Sequence, residues 1–432
     1  MKAKIVLIGA GSRSFGLGQI ADILRCKELR GRGVTLALVD ENAQALELMT
    51  RVADRAKGFF QTDIELESHT DRTRALPGAK YVIISVARKR YELWEQDFRI
   101  PLAYGFRHVL GENGGPGAIF HALRSFELVL PICRDVERLC PDAFVMNFTN
   151  PEARVLHAIC HLTKVRAAGF CHGVFSAMQR ISTYLQKPLE DLRIVSAGMN
   201  HFYCVLSVRD KAGREYQPEL VKRAAQDTSD THNTLFRKFA EIYDVFTFPS
   251  EDHIGEYVSF GAEFHGIAWP YGQERRKVTL QEKVFEDFVR EYADGKAPVD
   301  HPWIVNGSGE LTVPVICDHE LNRGSFRDAV NVLNSDGYIE NLPRDIVVEV
   351  PATVDARGLH PMKVGAIPEA FAAFMRTQYT IHGLLTEAYR TQSRKMLLQA
   401  LLLDPCVNSI VAAEKMLDEI LALQSEFLPT FQ

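Results

Sequence analysis

Cys171, in Gly169-Phe170-Cys171-His172-Gly173, and His201, in Gly198-Met199-Asn200-His201-Phe202, are the residues whose types best suit holding a metal ion. Each motif closes an apolar run that reads as a strand, and open α/β sheets place their ligands at such ends. A structural zinc site would need four closely spaced ligands, which neither motif supplies. Two protein ligands with open positions suit instead a catalytic divalent ion that leaves coordination free for substrate and water. By residue type alone a Cys and a His 30 residues apart signify little, because buried Cys is common and a lone His is more often a hydrogen-bonded core residue.

A second chemistry is written at the N-terminus. Gly9-Ala10-Gly11-Ser12 follows the apolar run KIVLI and opens a helical pattern. Glycines there permit a tight turn and close backbone approach, while a helix start offers unpaired N–H groups to a pyrophosphate. The pattern departs from a strict GxGxxG, since position 14 is Ser and the next glycines are Gly16 and Gly18. Asp40 ends the next apolar run. A carboxylate there accepts from ribose hydroxyls and repels a 2′-phosphate, so the expected cofactor is NAD and not NADP. The structural alternative is that Asp40 merely caps the following helix.

The elements that must position these groups alternate in the first half of the chain. Strands are expected over 4–8, 34–40, 80–87, 143–151 and 165–172, with a weaker one at 64–70, and helices lie between them. Continuous apolar strands separated by helices predict a parallel sheet covered on both faces. Near residue 195 the pattern changes. A long strand is expected over 193–210, running into a hairpin through Lys211–Gly213, followed by polar helices over 217–300 with a loop-rich stretch at 248–275. A strand at 345–355 and helices from Ala370 to Leu423, broken at Asp404–Pro405, complete the chain. The expected fold is therefore α/β: a Rossmann-type parallel-sheet domain over 1–195 and a mixed α+β domain over 196–432 for substrate, metal and oligomerisation.

Composition sets outer limits. The 432 residues carry a net charge of −5, with 46% hydrophobic and 24% charged residues, ordinary values for a globular protein with a sizeable core. The basic residues are scattered, which argues against nucleic acid or an anionic membrane as partner. No apolar run has the length of a membrane span. Eight cysteines without a CxxC pair read as reduced thiols in a cytoplasmic protein.

Taken in order, the N-terminal glycine turn, Gly114-Gly115-Pro116-Gly117, Asn147-Phe148-Thr149-Asn150-Pro151, Cys171-His172, Asn200-His201, Asn331-Val332-Leu333-Asn334-Ser335-Asp336-Gly337, Asn341-Leu342-Pro343 and Val348-Glu349-Val350-Pro351 resemble glycoside hydrolase family 4 along nearly the whole chain. That NAD-dependent family stands apart from two-carboxylate glycosidases. The resemblance implies NAD and a divalent metal, usually Mn²⁺, held by Cys171 and His201. It places Asn150 near both nicotinamide and substrate, and His172, Asn200, Asn331 and Asn334 on the substrate side. Glu112 matches the carboxyl that assists leaving-group departure, and Asp252 falls where relatives carry the base. The implied reaction is oxidation at the sugar C3, loss of the C2 proton, elimination, addition of water and re-reduction.

Relatives acting on 6-phosphosugars carry Asp or Asn after the motif cysteine. His172 therefore implies unphosphorylated α-glycosides, an α-galactoside or an α-galacturonide or glucuronide, and the resemblance also implies a homodimer or homotetramer. Glu152 departs from the small or apolar residue that many relatives have after Asn-Pro. Two rival readings make different demands on the residues. A lactate/malate-type 2-hydroxyacid dehydrogenase would need a His–Asp pair and a clamping Arg in the second half. A non-catalytic NAD-binding regulator would need neither Cys171 nor His201.

Overall fold

The computed structural model describes residues 3–12, 15–229, 233–264 and 283–432. Eleven strands form one sheet: β1 Lys4–Ile8, β2 Thr35–Val39, β3 Glu65–His69, β4 Ala79–Ile84, β5 Phe144–Asn147, β6 Arg166–Gly169, β7 Leu192–Met199, β8 Phe202–Asp210, β9 Ser325–Leu333, β10 Val347–Asp355 and β11 Gly358–Pro361. Their order is β3-β2-β1-β4-β5-β6-β9-β10-β7-β8, with β11 on β10. Pairing is parallel from β3 to β6 and antiparallel from β9 onward.

The parallel part follows from its side chains. Ile5 and Leu7 face one core while Val6 and Ile8 face the other, and Leu36/Leu38 against Ala37/Val39 and Tyr81/Ile83 against Val82/Ile84 repeat the division. Both faces of such strands must be covered. Helices 15–25 and 43–60 cover the first through Leu17, Ile20, Met49 and Val52, and helices 115–139 and 152–162 cover the second. Each aliphatic side chain so buried contributes about 1.5–3 kcal/mol.

β9 enters the sheet beside β6, and the sheet passes from the first half of the chain to the second without an interruption in the strand order. The expected long strand at 193–210 is instead two. β7 and β8 pair from Leu192↔Asp210 to Met199↔Phe202, so the chain reverses at Asn200-His201. The anticipated turn at 211–213 exists as a smaller one beyond it, closed by Asp210 N–H on the Arg214 carbonyl. Strand periodicity could not show the reversal, because Met199 and Phe202 are both apolar and the turn carries neither Gly nor Pro. Part of the loop-rich stretch, 265–275, lies outside the described residues. No helix among the described residues is long and apolar enough to cross a membrane.

Candidate active site at the carboxyl edge of the sheet

The glycine turn is fixed by its neighbours. Gly9 and Ala10 donate their N–H groups to the Val39 carbonyl at 2.9 and 3.0 Å, and Ser12 N–H returns to the Gly9 carbonyl at 3.1 Å. Gly9 has φ +92°, and a Cβ there would lie 1.9 Å from the Ser85 carbonyl oxygen. Gly11 N–H donates to Asp40 Oδ2 at 2.8 Å, and Asn42 N–H donates to Asp40 Oδ1 at 2.9 Å. Asp40 is thus not the helix cap, a role taken by Asn42, which accepts from Gln44 and Ala45 N–H. A carboxylate oxygen has two lone pairs, so Asp40 keeps accepting capacity for a ribose hydroxyl. Gly9→Ala is expected to weaken NAD binding by ~100-fold, about 2.7 kcal/mol, read by fluorescence titration. Native affinity in that variant would remove the turn from the cofactor site.

An aromatic file links the turn to the second motif. Phe15, which opens the helix after the turn, packs on Phe148 at 4.9 Å, and Phe148 stacks on Phe170 at 5.7 Å. Phe170 precedes Cys171. From the other side, the β7–β8 hairpin delivers His201 in a left-handed conformation, φ 63°. The two side chains meet, with Cys171 Sγ 3.2 Å from His201 Nε2. Gly173 N–H points at the same sulfur at 3.3 Å, and Phe248 stacks on the imidazole at 5.4 Å.

Burial, reinforced by the Glu349 carboxylate, pushes the Cys171 thiol up to about 12, and burial holds His201 well below the usual imidazole value. The imidazole is therefore in its neutral, ligating form. A cation beside the sulfur reverses the thiol's preference, because a coordinating thiol is deprotonated outright. His201 Nδ1 is buried without a protein hydrogen bond. This donor set fits a divalent ion.

Behind the pair lies a carboxylate the sequence reading did not select. Glu349 on β10 accepts from Asn200 Nδ2 at 3.1 Å and from Asn331 Nδ2 at 3.2 Å. Asn331 also reaches the Gly169 carbonyl at 3.5 Å. Asn200 and Asn331 are thus buried supports for the hairpin tip and for the end of β6. Asn334, expected on the substrate side, is spent on its own loop. It is fully buried, donates to the carbonyls of Ile339, Leu342 and Pro343, and accepts from Ile339 N–H. Glu152, the departure after Asn-Pro, is buried beneath Gly169, where a Cβ would lie 1.5 Å from its Oε1. Burial and the nearby Glu349 raise its carboxyl well above the usual range. The peptide bond between Asn150 and Pro151 is cis, and the Asn150 carbonyl accepts from Ser125 Oγ at 2.7 Å.

The acid–base residues gather on the far side of His201. The His253 ring lies 4.5 Å from it, and His253 Nδ1 is 3.7 Å from Glu256 Oε2. Glu256 Oε1 accepts from the N–H groups of Glu112 and Asn113 at 2.6 and 2.9 Å. Glu112 is nearly buried and bonds Arg90 Nη2 at 2.7 Å. Burial would raise its carboxyl, but the charges of Arg90 above all, and of His253, bring it down to about 2. The expected leaving-group acid therefore stands ionised, because a guanidinium faces it. Asp252 accepts from Ser250 Oγ and from His253 N–H at 2.9 Å. His253 was overlooked beside Asp252, and His121, given no role in the sequence, bonds the Glu112 carbonyl at 2.9 Å. Arg90→Met should move the acidic limb of the kcat/KM profile that reports Glu112 to higher pH. The sign follows from the depressed value, since a carboxylate stabilised by a cation keeps its charge down to a pH that the unpaired group cannot reach. An unmoved limb would detach Glu112 from the pH profile.

His172 projects outward, its side chain 70% exposed, with Nδ1 3.0 Å from Glu310 Oε1. That carboxylate raises the imidazole's affinity for its proton.

A doubly covered Rossmann-type sheet, with a glycine turn on β1 and a buried thiol–imidazole pair at its carboxyl edge, defines an α/β protein of the dinucleotide-binding class. The comparisons narrow this. The family 4 glycosyl hydrolase model matches residues 4–187 and that family's C-terminal domain model matches residues 196–407. The chain belongs to glycosyl hydrolase family 4. It is 30% identical to an alpha-glucosidase of Erwinia rhapontici, with 99% of each chain covered. To an alpha-galactosidase of Bacillus subtilis it is 29% identical, over 99% of this chain and all of the other. Among solved structures, a 6-phospho-alpha-glucosidase from gut microorganisms in complex with NAD and Mn²⁺ superposes with a TM-score of 0.83 at 21% identity, both chains covered in full.

Proposed function

We propose that this protein hydrolyses unphosphorylated α-glycosides, an α-galactoside or an α-uronide, with NAD and a divalent metal as resident cofactors. The observation that carries the proposal is the 3.2 Å approach of Cys171 Sγ to His201 Nε2 at the strand ends. NAD, when bound, takes up and returns a hydride, and Mn²⁺, when bound, supplies a Lewis acid. Cys171 and His201 hold the metal, Gly9, Gly11 and Ser12 cradle the dinucleotide, and Asp40 accepts from its ribose.

The chain's own groups divide the remaining work. Asp252, acceptor-ready beside His253, removes the sugar C2 proton. Glu112, kept ionised by Arg90, accepts a hydrogen bond at the leaving-group side and acts as proton donor only if substrate binding displaces Arg90 from it. Asn150 orients sugar and nicotinamide on the cis turn. Glu349, through Asn200 and Asn331, keeps the hairpin tip and β6 in register.

The preference for an unphosphorylated sugar is supported by His172 itself, which stands directly after Cys171 where relatives acting on 6-phosphosugars carry Asp or Asn. The test is a panel of nitrophenyl α-glycosides (gluco, galacto, glucurono, galacturono and 6-phosphogluco) with NAD, Mn²⁺ and reductant. Cleavage of a galacto or urono substrate in preference to the 6-phosphate is the expected result. A faster 6-phosphate would overturn the substrate assignment. Deuterium at C2 of the preferred sugar should slow cleavage and wash out into water, and retention of label during turnover would exclude C2 deprotonation by Asp252 or any other base.

A further inference from the structure

Outside the site just described, the structure brings together a second pair of thiols that the reaction does not use. Cys26 follows the first helix and Cys317 lies within helix 312–321, yet their sulfurs are 3.5 Å apart. The Glu28 carboxylate joins them, so that one donor atom from each of the three lies within 4.8 Å of the others. Two sulfurs bound tetrahedrally to one ion at ~2.3 Å are about 3.8 Å apart, whereas a disulfide holds them at about 2.0 Å. The observed 3.5 Å is a thiol–thiol hydrogen-bond contact, far too long for a disulfide and within a few tenths of an ångström of the spacing that two ligands on one centre require. Cys317 is buried, while Cys26 and Glu28 are partly open to a groove of about 790 Å³ that Arg323 and Asp328 also line.

We propose that Cys26, Cys317 and Glu28 form a binding site for a borderline-soft divalent cation of the zinc class, with water from the groove completing the coordination. Paired thiolates select zinc-like ions over manganese, which prefers oxygen, so the site is chemically distinct from Cys171–His201. Arg323 Nη2 occupies Glu28 Oε1. The carboxylate keeps its other oxygen for the ion, and the guanidinium then orients the ligand from behind, as outer partners of metal ligands do.

The mechanical effect is a clamp. Helix 15–25, which leaves the glycine turn, becomes tied to helix 312–321. The segment before that helix carries Glu310, the partner of His172, and Ser308, whose N–H already donates to Asp22 of the first helix at 3.1 Å. An ion bound at the thiols therefore stabilises the rim from its outer side.

The test uses the full chain with Cys171→Ser, which removes the other candidate thiolate ligand. Cd²⁺ titration should produce sulfur-to-cadmium charge-transfer absorption saturating at one ion per chain, and Zn²⁺ should compete for it and raise the melting temperature. Adding Cys26→Ser should abolish the two-thiolate band. Adding Glu28→Gln should leave the band in place while weakening Cd²⁺ affinity by ~10-fold or more. Cys26 and Glu28 both reach solvent, so neither change threatens folding, and metal-free melting points matched to the parent establish this. A Cys171→Ser protein without the band, or a band that survives Cys26→Ser, would overturn the site.

Discussion

His201→Ala is expected to lower kcat/KM by ~1000-fold or more while leaving NAD affinity within about two-fold. One of two protein donors is lost, and Lewis-acid stabilisation is worth several kcal/mol, with each 1.36 kcal/mol a factor of ten. The cofactor turn sits on β1 and, among the described residues, shares no hydrogen bond with the β7–β8 hairpin, so dinucleotide binding serves as the internal control for folding. Metal content should fall in parallel when measured after gel filtration. Cys171→Ser is the informative companion. It replaces sulfur by oxygen, which manganese tolerates better than zinc, so its loss should be smaller with Mn²⁺ than with Zn²⁺. Wild-type turnover by His201→Ala would remove the imidazole from the metal site altogether.

Asp97→Ala should destabilise the fold by about 3–5 kcal/mol, the penalty for stranding a buried charge. Asp97 is fully buried, Arg124 Nη1 bonds its Oδ1 at 3.0 Å, and Arg124 Nη2 bonds its other oxygen. Burial pushes the Asp97 carboxyl upward and Arg124 opposes it. Gln424, also buried, closes the network by accepting from Arg124 Nη1 at 2.6 Å and donating to Asp97 Oδ1 at 3.0 Å. The cluster ties helices 90–103 and 115–139 to the end of helix 410–423. Removing the carboxylate leaves the guanidinium with one neutral acceptor. Asp97→Asn, which keeps an acceptor oxygen, should lose less. Denaturant unfolding of both variants decides the matter, and equal midpoints for wild type and Asp97→Ala would contradict it.

What could be read beforehand follows the range of the interaction. Strands β1, β2, β4, β5 and β6 lie in stretches dominated by apolar residues, a local signal, and each overlaps its expected place. Cys171 and His201 stand in recognisable surroundings, and the structure brings them together. Long-range partners were not legible. Nothing local to Glu349 says that it will face Asn200 and Asn331 from another strand, and Asn334 resembles a substrate ligand until its loop is seen to consume every polar atom. Glu112 was expected to serve as an acid because the choice of protonation state depends on Arg90, which approaches the loop from the first residue of helix 90–103. The turn at Asn200-His201 was missed because the left-handed residue is a histidine, outside the Gly and Asn vocabulary by which such turns are recognised.

The seating of β9 next to β6 has a practical corollary for anyone dividing this chain. A fragment ending near residue 190 would retain the glycine turn and all six parallel strands, yet β6 would present its unpaired backbone to solvent along the side that β9 now covers. Bare edges of this kind recruit other chains. Such a fragment is expected to self-associate and precipitate, and to become soluble only when the remainder of the polypeptide is co-expressed with it.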